Sequence, residues 1–467
     1  MVCVCACDAR RIADVIIALL AGPVCRPPCI HGGKAPGERS TVQVVSKSDE
    51  ALSTSTPGST APGTGRWIPV SLAVFASAWG GNEFTPLLVM YRQDGSLSDV
   101  AVDGLLFTYV LGIVPALLIG GPLSDRLGRR PLMFPAPVFA ALGSVLLALG
   151  SQSLTLMSLG RVFSGVALGL SMAVGGSWIA EISRREGAAN RAATRAAMSL
   201  TAGFGLGAGL AAVLAQWAPW PHVLAYAVNI ALSVIALALL PRAPETRPRN
   251  RSAGSLVDDL PITGLAHPRF LFIVLPVAPW VFGACATAYA IIPSLMTDKT
   301  SSAPIAFAGL CCLLGLGVGF GIQVVGRHIA RPGTVRGAVL ALVLVAAGMG
   351  LSVLTARTLS IWVALVAAAV LGCGYGMAVL SGLLEVQQLA TPDNLAGLTA
   401  VFYSATYLGF AMPMLLAFIS ETWPSVTYPM MFGVGVGAAL TSLVVVVAAH
   451  RLNPVHVRVT DVRAVAE

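Results

Sequence analysis

From residue 67 onward, long apolar runs alternate with short polar breaks. A transmembrane helix needs about 20 mostly apolar residues, and by that measure the pattern predicts twelve spans. The first six cover approximately 67–90, 104–123, 132–150, 155–180, 197–218 and 221–240. A polar stretch, 241–268, then interrupts the series with Arg242, Arg247, Arg249, Arg251, Asp258 and Asp259. The second six cover approximately 269–295, 305–325, 335–355, 359–385, 396–419 and 427–449. Only Ser151, Gln152 and Ser153 mark the break between the third and fourth spans, so a count of eleven is the alternative. The expected organisation is an all-α membrane protein with two six-helix halves, 67–240 and 269–450, a central loop at 241–268 and a tail at 451–467.

Residues 1–66 read differently. The apolar run at 12–21 follows Arg10 and Arg11 and faintly resembles a signal peptide. At roughly ten residues it is too short to span a bilayer. The stretch 46–65 has the Ser, Thr, Pro and Gly composition of a flexible linker. The whole of 1–66 is expected to be a disordered extension, with the folded protein starting near Arg66.

Composition supports the membrane reading. The chain is 56% hydrophobic and 11% charged, whereas a soluble domain carries about 25% charged residues. Lipid must therefore solvate part of the surface. The net charge of +8 comes almost wholly from arginine, because Lys34, Lys47 and Lys299 are the only lysines. These arginines sit in short clusters between apolar runs and build no basic face of the kind that binds nucleic acid.

Arginine also sets the orientation. With twelve spans, Arg126, Arg129 and Arg130 fall on one side together with Arg184, Arg185, Arg191 and Arg195. The central loop, the group Arg327, Arg331 and Arg336, and the tail arginines Arg451, Arg458 and Arg463 join them. The opposite side holds only Arg92, Lys299 and Arg357. Both termini are thus expected in the cytoplasm. The Gly, Ala and Val bias and the arginine excess fit a bacterial plasma (inner) membrane.

The cysteines fall into two groups. Cys285, Cys311, Cys312 and Cys373 lie in apolar runs and read as small helix residues. Cys3, Cys5, Cys7, Cys25 and Cys29 crowd the amino terminus, but only His31 is nearby and no C-x-x-C pair occurs. No metal or cofactor is expected.

Between the second and third predicted spans stands Gly120-Gly121-Pro122-Leu123-Ser124-Asp125-Arg126-Leu127-Gly128-Arg129-Arg130-Pro131. Glycines permit a tight turn and close helix approach, and a carboxylate near a helix N-terminus is favoured. A basic loop alone explains the arginines but not the embedded aspartate. This run resembles the signature loop of the major facilitator superfamily, Gly-x-Leu-(Ala/Ser)-Asp-Arg-x-Gly-Arg-Arg, and residues 121–130 match every position. The resemblance covers residues 67–450. It implies two helical halves working by alternating access, with Gly121, Asp125, Arg126, Gly128, Arg129 and Arg130 forming a motif whose Asp125–Arg129 charge network latches the two halves on the cytoplasmic side. The matching stretch of the second half, 321–332, keeps Gly326 and Arg327 but has no aspartate, so a one-sided latch is expected.

Two charges lie well inside spans, where charge is costly and marks function. Glu83 and Arg161 are expected at similar depth, which makes an ion pair possible. The run Arg161-Val-Phe-Ser-Gly165 resembles, with Ser164 for a usual glutamine, the superfamily's fourth-helix motif linked to proton transfer. Glu83 would take up and release a proton with Arg161 as partner; the alternative is a static pair that fixes helix packing. Glu181 reads either as an interfacial charge or as a latch contact, and Glu385 as a plain interfacial residue.

Asn82 and Asn229 are embedded amides able to bind a substrate or bridge helices. Trp79, Trp280, Tyr289 and Tyr403, with Tyr109, Tyr375 and Tyr407, are aromatic candidates for the cavity wall. Gly203, Gly205, Gly207 and Gly209 read as a close-packing face and loosely resemble the fifth-helix motif of proton-coupled drug antiporters, without its Gly-Pro pair. Pro244-Glu245-Thr246-Arg247 resembles a sugar-transporter string that is common across the superfamily.

The histidines lie in loops or at helix ends and no P-loop is present, so neither an intramembrane enzyme nor an ATP-driven pump is expected. The reading is a monomeric, proton-coupled exporter of small apolar or amphipathic molecules. An uptake porter or facilitator for a sugar or other metabolite is the alternative.

Overall fold

The computed structural model of the chain describes residues 65–248, 264–331, 333–391 and 394–452. The expected disordered extension up to residue 64, the amino-terminal cysteines, the loop segment 249–263 and the tail 453–467 lie outside the described residues. Every regular element within them is helical.

The first apolar run folds as two pieces, α1 (Ile68–Asn82) and α2 (Phe84–Asp94). Eleven helices follow that are long and apolar enough to cross a membrane. They are α3 (Asp99–Leu127), α4 (Arg129–Leu149), α5 (Leu154–Arg185), α6 (Ala189–Trp217), α7 (Leu224–Arg242) and α8 (Phe270–Leu295). Then come α9 (Pro304–Gly326), α10 (Arg336–Thr358), α11 (Ile361–Leu389), α12 (Leu395–Thr422) and α13 (Tyr428–Leu452). The weakly marked break before α5 is real, and the Ser153 hydroxyl caps α5 by accepting from the Leu156 N–H at 3.5 Å.

The joint between α1 and α2 is Glu83, which keeps helical angles (φ −59°, ψ −31°) and donates its N–H to the Trp79 carbonyl at 2.8 Å. Pro86 supplies the cause of the break. A proline removes the N–H that would bond the carbonyl four residues back, and its ring crowds that carbonyl; here that residue is Asn82. Pro413 stands in the same relation to Gly409, where α12 tightens into a 3₁₀ turn at Leu408–Phe410. Wide π turns occur in α5 at Ser171–Gly175 and in α8 at Thr287–Ile291.

Helices before residue 249 pack chiefly on one another, as in α3 with α5, α4 with α5 and α1 with α6. Those after residue 263 do likewise, as in α10 with α11 and α13, and α9 with α11. The two groups meet along α6 with α9, α3 with α12, and α2 with α9. Lipid is as apolar as leucine, so helices associate through close van der Waals contact of small residues. A Cβ on Gly165 of α5 would strike the Tyr109 carbonyl of α3, and one on Gly376 of α11 would strike the Gly319 carbonyl of α9. In α6, Gly203 and Gly207 lie against the α1 backbone and Gly209 against Leu313 of α9, whereas Gly205 faces open space.

Overpacking a tight helix contact costs about 1–3 kcal/mol or more. Gly165→Val is therefore expected to lower the melting temperature of the purified protein, and Gly205→Ala, whose added Cβ meets open space in a helix interior, to hold it or raise it slightly. Equal melting temperatures for the two variants would refute the packing assignment.

Candidate functional site

A small cavity lies where the two helix groups meet, lined by Gly81, Asn82 and Thr85 at the α1–α2 joint, Tyr109 of α3 and Arg161 of α5. The opposite wall is Phe282 and Tyr289 of α8, Tyr375 of α11, and Tyr407 and Phe410 of α12. It has about 30 Å³ of room for the centres of water molecules. One such centre needs about 10–15 Å³, so this conformation is closed to anything of drug size. Phe282 stacks on Tyr407 at 4.5 Å and on Phe410 at 4.6 Å, making one wall a continuous aromatic face.

Arg161 is fully buried. Its Nε donates to the Leu105 carbonyl at 3.2 Å and its NH1 group to the Gly81 carbonyl at 3.4 Å. The guanidinium carbon lies 4.1 Å from the Tyr109 ring centre and 4.7 Å from that of Phe84, an electrostatically attractive setting. The carbonyl it holds is two residues from Glu83.

Glu83 is also fully buried but points elsewhere. Its Oε1 accepts from the Ser144 hydroxyl at 2.9 Å, and that hydroxyl accepts from Asn229 Nδ2 at 2.8 Å. Trp79 and Asn229 stand beside the same carboxyl group as further side-chain donors. No direct ion pair joins Glu83 to Arg161, although the two charges act on each other through space. Helical geometry explains the separation. Two positions along a helix differ by roughly 200° around it, so the face of Gly81 that meets Arg161 is nearly opposite the face of Glu83 that meets α4 and α7.

The other candidates divide by place. Asn82 and Tyr289 line the cavity; Asn82 donates to the Phe204 carbonyl at 3.0 Å and accepts from Thr85 at 3.0 Å. Trp79 and Asn229 lie behind the cavity, in the layer of Glu83. Trp280 donates to the Ser442 hydroxyl at 3.1 Å and faces a groove bordered by α8, α12 and α13. Tyr403 packs on Phe402 at 5.5 Å and does not line the cavity. Sequence reasoning missed Phe204, Phe282 and Phe410, since a phenylalanine inside an apolar span carries no signal of which way it faces. Tyr109, Tyr375 and Tyr407 had one, a hydroxyl in an apolar run.

A second cluster gathers around the basic loop between α3 and α4. Gly128 turns the chain at φ +100°, a conformation that disfavours a side chain. The buried Arg129 then reaches Asp125 at 3.0 Å, Glu181 of α5 at 2.8 Å and the Ser124 hydroxyl at 2.9 Å. Thr246 donates to the same Glu181, and Arg247 lies 3.4 Å from Asp125. Arg126 belongs to this loop, and Arg130 donates to the Pro241 carbonyl. Glu245 accepts from the N–H groups of Arg129 and Arg130 at 3.0 and 2.9 Å, placing a carboxylate on the α4 N-terminus, where the helix dipole favours it. Of the two readings of Glu181, the structure has the contact with the loop.

The expectation that Glu385 is a plain interfacial charge is overturned. It is 3% exposed and paired with Arg269 at 2.8 Å, tying the start of α8 to the end of α11. Both residues border polar breaks in the sequence, and only packing reveals that they meet. The second helix group thus has a buried ion pair without the aspartate loop.

The family model of the Major Facilitator Superfamily matches residues 70–414. A chloramphenicol resistance protein of Pseudomonas aeruginosa is 24% identical over 69% of this chain and 77% of its own length. The multidrug transporter MdfA of Edwardsiella piscicida is 28% identical over 47% of this chain and 51% of its own. A triacylglyceride transporter of Mycobacteroides abscessus is 35% identical over 28% of this chain, so the match spans only 25% of that relative. Among solved structures, a peptide transporter POT superposes with TM-score 0.65 at 13% identity, covering 83% of this chain and 96% of its own. A nucleoside transporter NupG gives 0.62 at 13% identity over 83% and 99%.

Removing a helix-capping side chain costs about 0.5–2 kcal/mol. Glu245→Ala is expected to lower the melting temperature of the purified protein, and Glu245→Gln, which keeps an acceptor, to lower it less. A melting temperature unmoved by Glu245→Ala would remove Glu245 from the cluster's support.

Proposed function

This chain belongs to the Major Facilitator Superfamily, and we propose that it is a proton-coupled exporter of small apolar or amphipathic molecules that works by alternating access. In this reading the broken α1–α2 segment is a twelfth span added to the eleven continuous ones. The spans form two six-helix halves, both termini face the cytoplasm, and the monomer sits in a bacterial plasma membrane.

The observation that carries the coupling is the placement of Glu83. A carboxyl group is buried at the α1–α2 joint, one residue from cavity-lining Asn82, with the Ser144 hydroxyl on one oxygen and the side chains of Trp79 and Asn229 beside it. Intramembrane carboxyl groups of this kind serve proton relays. Glu83 exchanges a proton as the halves rock, while Arg161 stands in the cavity wall and communicates with it through space and through the α1 backbone at Gly81. Pro86 makes the joint between them deformable.

The cavity wall supports the substrate class. Arg161 is the only charged residue among those that line it, and the rest is largely aromatic and aliphatic. Such a wall suits neutral or amphipathic molecules better than phosphates or dicarboxylates, whose charges would need several fixed partners. Relatives named for chloramphenicol resistance and multidrug transport support export over uptake. Asp125, Arg129 and Glu181, with Glu245, contact one another within the first helix group, so they brace the cytoplasmic end of that half rather than latch it to the other.

Reconstituted into vesicles with an imposed pH gradient, the protein is expected to move protons when a transported lipophilic drug is added, and Glu83→Gln to abolish that flux and the pH dependence of transport. A Glu83→Gln variant that transports with unchanged pH dependence would overturn the proton role. Substrate movement without proton flux in the unaltered protein would instead establish a facilitator.

A further inference from the structure

One rim of the molecule is joined across the two helix groups by side chains that cap helices of the other group. Gln216, the penultimate residue of α6, accepts with its Oε1 from the backbone N–H groups of Ile305 and Ala306 at 2.9 and 3.2 Å. These are the second and third residues of α9, whose own N-cap position is Ala303 and supplies no side-chain bond. The first N–H groups of a helix have no partner within it, so α9 depends on a residue of another helix for a cap. At the other contact, Glu421, the penultimate residue of α12, accepts with its Oε1 from the N–H of Val100, the second residue of α3, at 3.4 Å.

The two contacts correspond. In the twelve-span reading, on which this inference rests, α6 and α12 are the fifth and eleventh spans, and α3 and α9 the second and eighth. A repeat of six spans relates α6 to α12 and α3 to α9. Each half therefore ends one helix with an acceptor placed on the first turn of a helix of the other half. The neighbouring surfaces are close enough for the bonds to be selective: a Cβ on Gly309 of α9 would meet Ala212 of α6, and Met414 of α12 lies against Gly104 of α3.

We infer that Gln216 and Glu421 are a matched pair of interhelical caps that hold the outer rim shut, and that their release is part of outward opening. Closing the rim satisfies three backbone donors that opening returns to water. Gln216 contributes more, having two shorter bonds, and because its amide is uncharged its hold does not vary with pH. Both residues act through the helices they cap and touch no substrate.

The test uses the full-length protein in cells, with a Leu106→Cys reporter at a residue of α3 that lines the cavity and a membrane-impermeant maleimide applied from outside; the chain without the reporter gives the background. Gln216→Ala is expected to raise the labelling rate about tenfold, the order that two ordinary hydrogen bonds confer. Gln216→Glu, which keeps the acceptor, restores slow labelling, and Glu421→Ala gives a smaller rise. A cap that only stabilised α9 would leave labelling unchanged in both alanine variants, and that result would overturn the inference. Faster labelling only in inverted vesicles would keep the paired caps but overturn their assignment to the outer rim. Because no readout involves protons or a transported drug, failure here is separable from failure of the proposed coupling.

Discussion

Arg161 is a full positive charge buried between helices, and the helices nearest to it supply acceptors and ring faces for it. A bare guanidinium inside a membrane is costly unless protein groups replace its hydration. Here the replacement is made of the Gly81 carbonyl of α1, the Leu105 carbonyl of α3, and the ring faces of Tyr109 and Phe84. Gly81 is small enough to let the Tyr109 ring approach, and the tight contact between α3 and α5 at Gly112 and Gly165 brings the arginine within reach. Three helices are thereby fixed around one charge, and that charge is part of the cavity wall.

The same constraint separates Arg161 from Glu83. An arginine held at the Gly81 and Leu105 carbonyls faces the side of α1 nearly opposite Glu83. Glu83 is left to the neutral donors Ser144, Trp79 and Asn229. Its partners are neutral donors, so no tight ion bridge locks it to another helix, and it sits at the α1–α2 joint three residues before Pro86.

At the opposite end of the spans, charge is used for rigidity. Arg129 is shared by Asp125 and Glu181, Glu245 sits on the α4 N-terminus, and Arg269 pairs with Glu385. These networks bind helices within one group. The caps made by Gln216 and Glu421 cross between groups, with fewer and weaker bonds. Strong bonds within groups and weak ones between them are what rigid bodies rocking against each other require.

By itself the sequence determined the helical class, the positions of the spans and the basic loop at residues 121–130, because bilayer thickness and the cost of charge in lipid act on each segment separately. It also singled out Glu83 and Arg161, since a charge in an apolar run stands out without any knowledge of neighbours. Facing was decided only by the tertiary structure. Which of Asn82, Asn229, Trp79, Trp280, Tyr289 and Tyr403 reaches the cavity depends on helix rotation, and spans apolar all round give no stripe from which to read it. The partners of Arg161, the burial of Glu385 and the interhelical role of Gln216 likewise join residues far apart in the chain, and no local pattern encodes a contact made across the bundle.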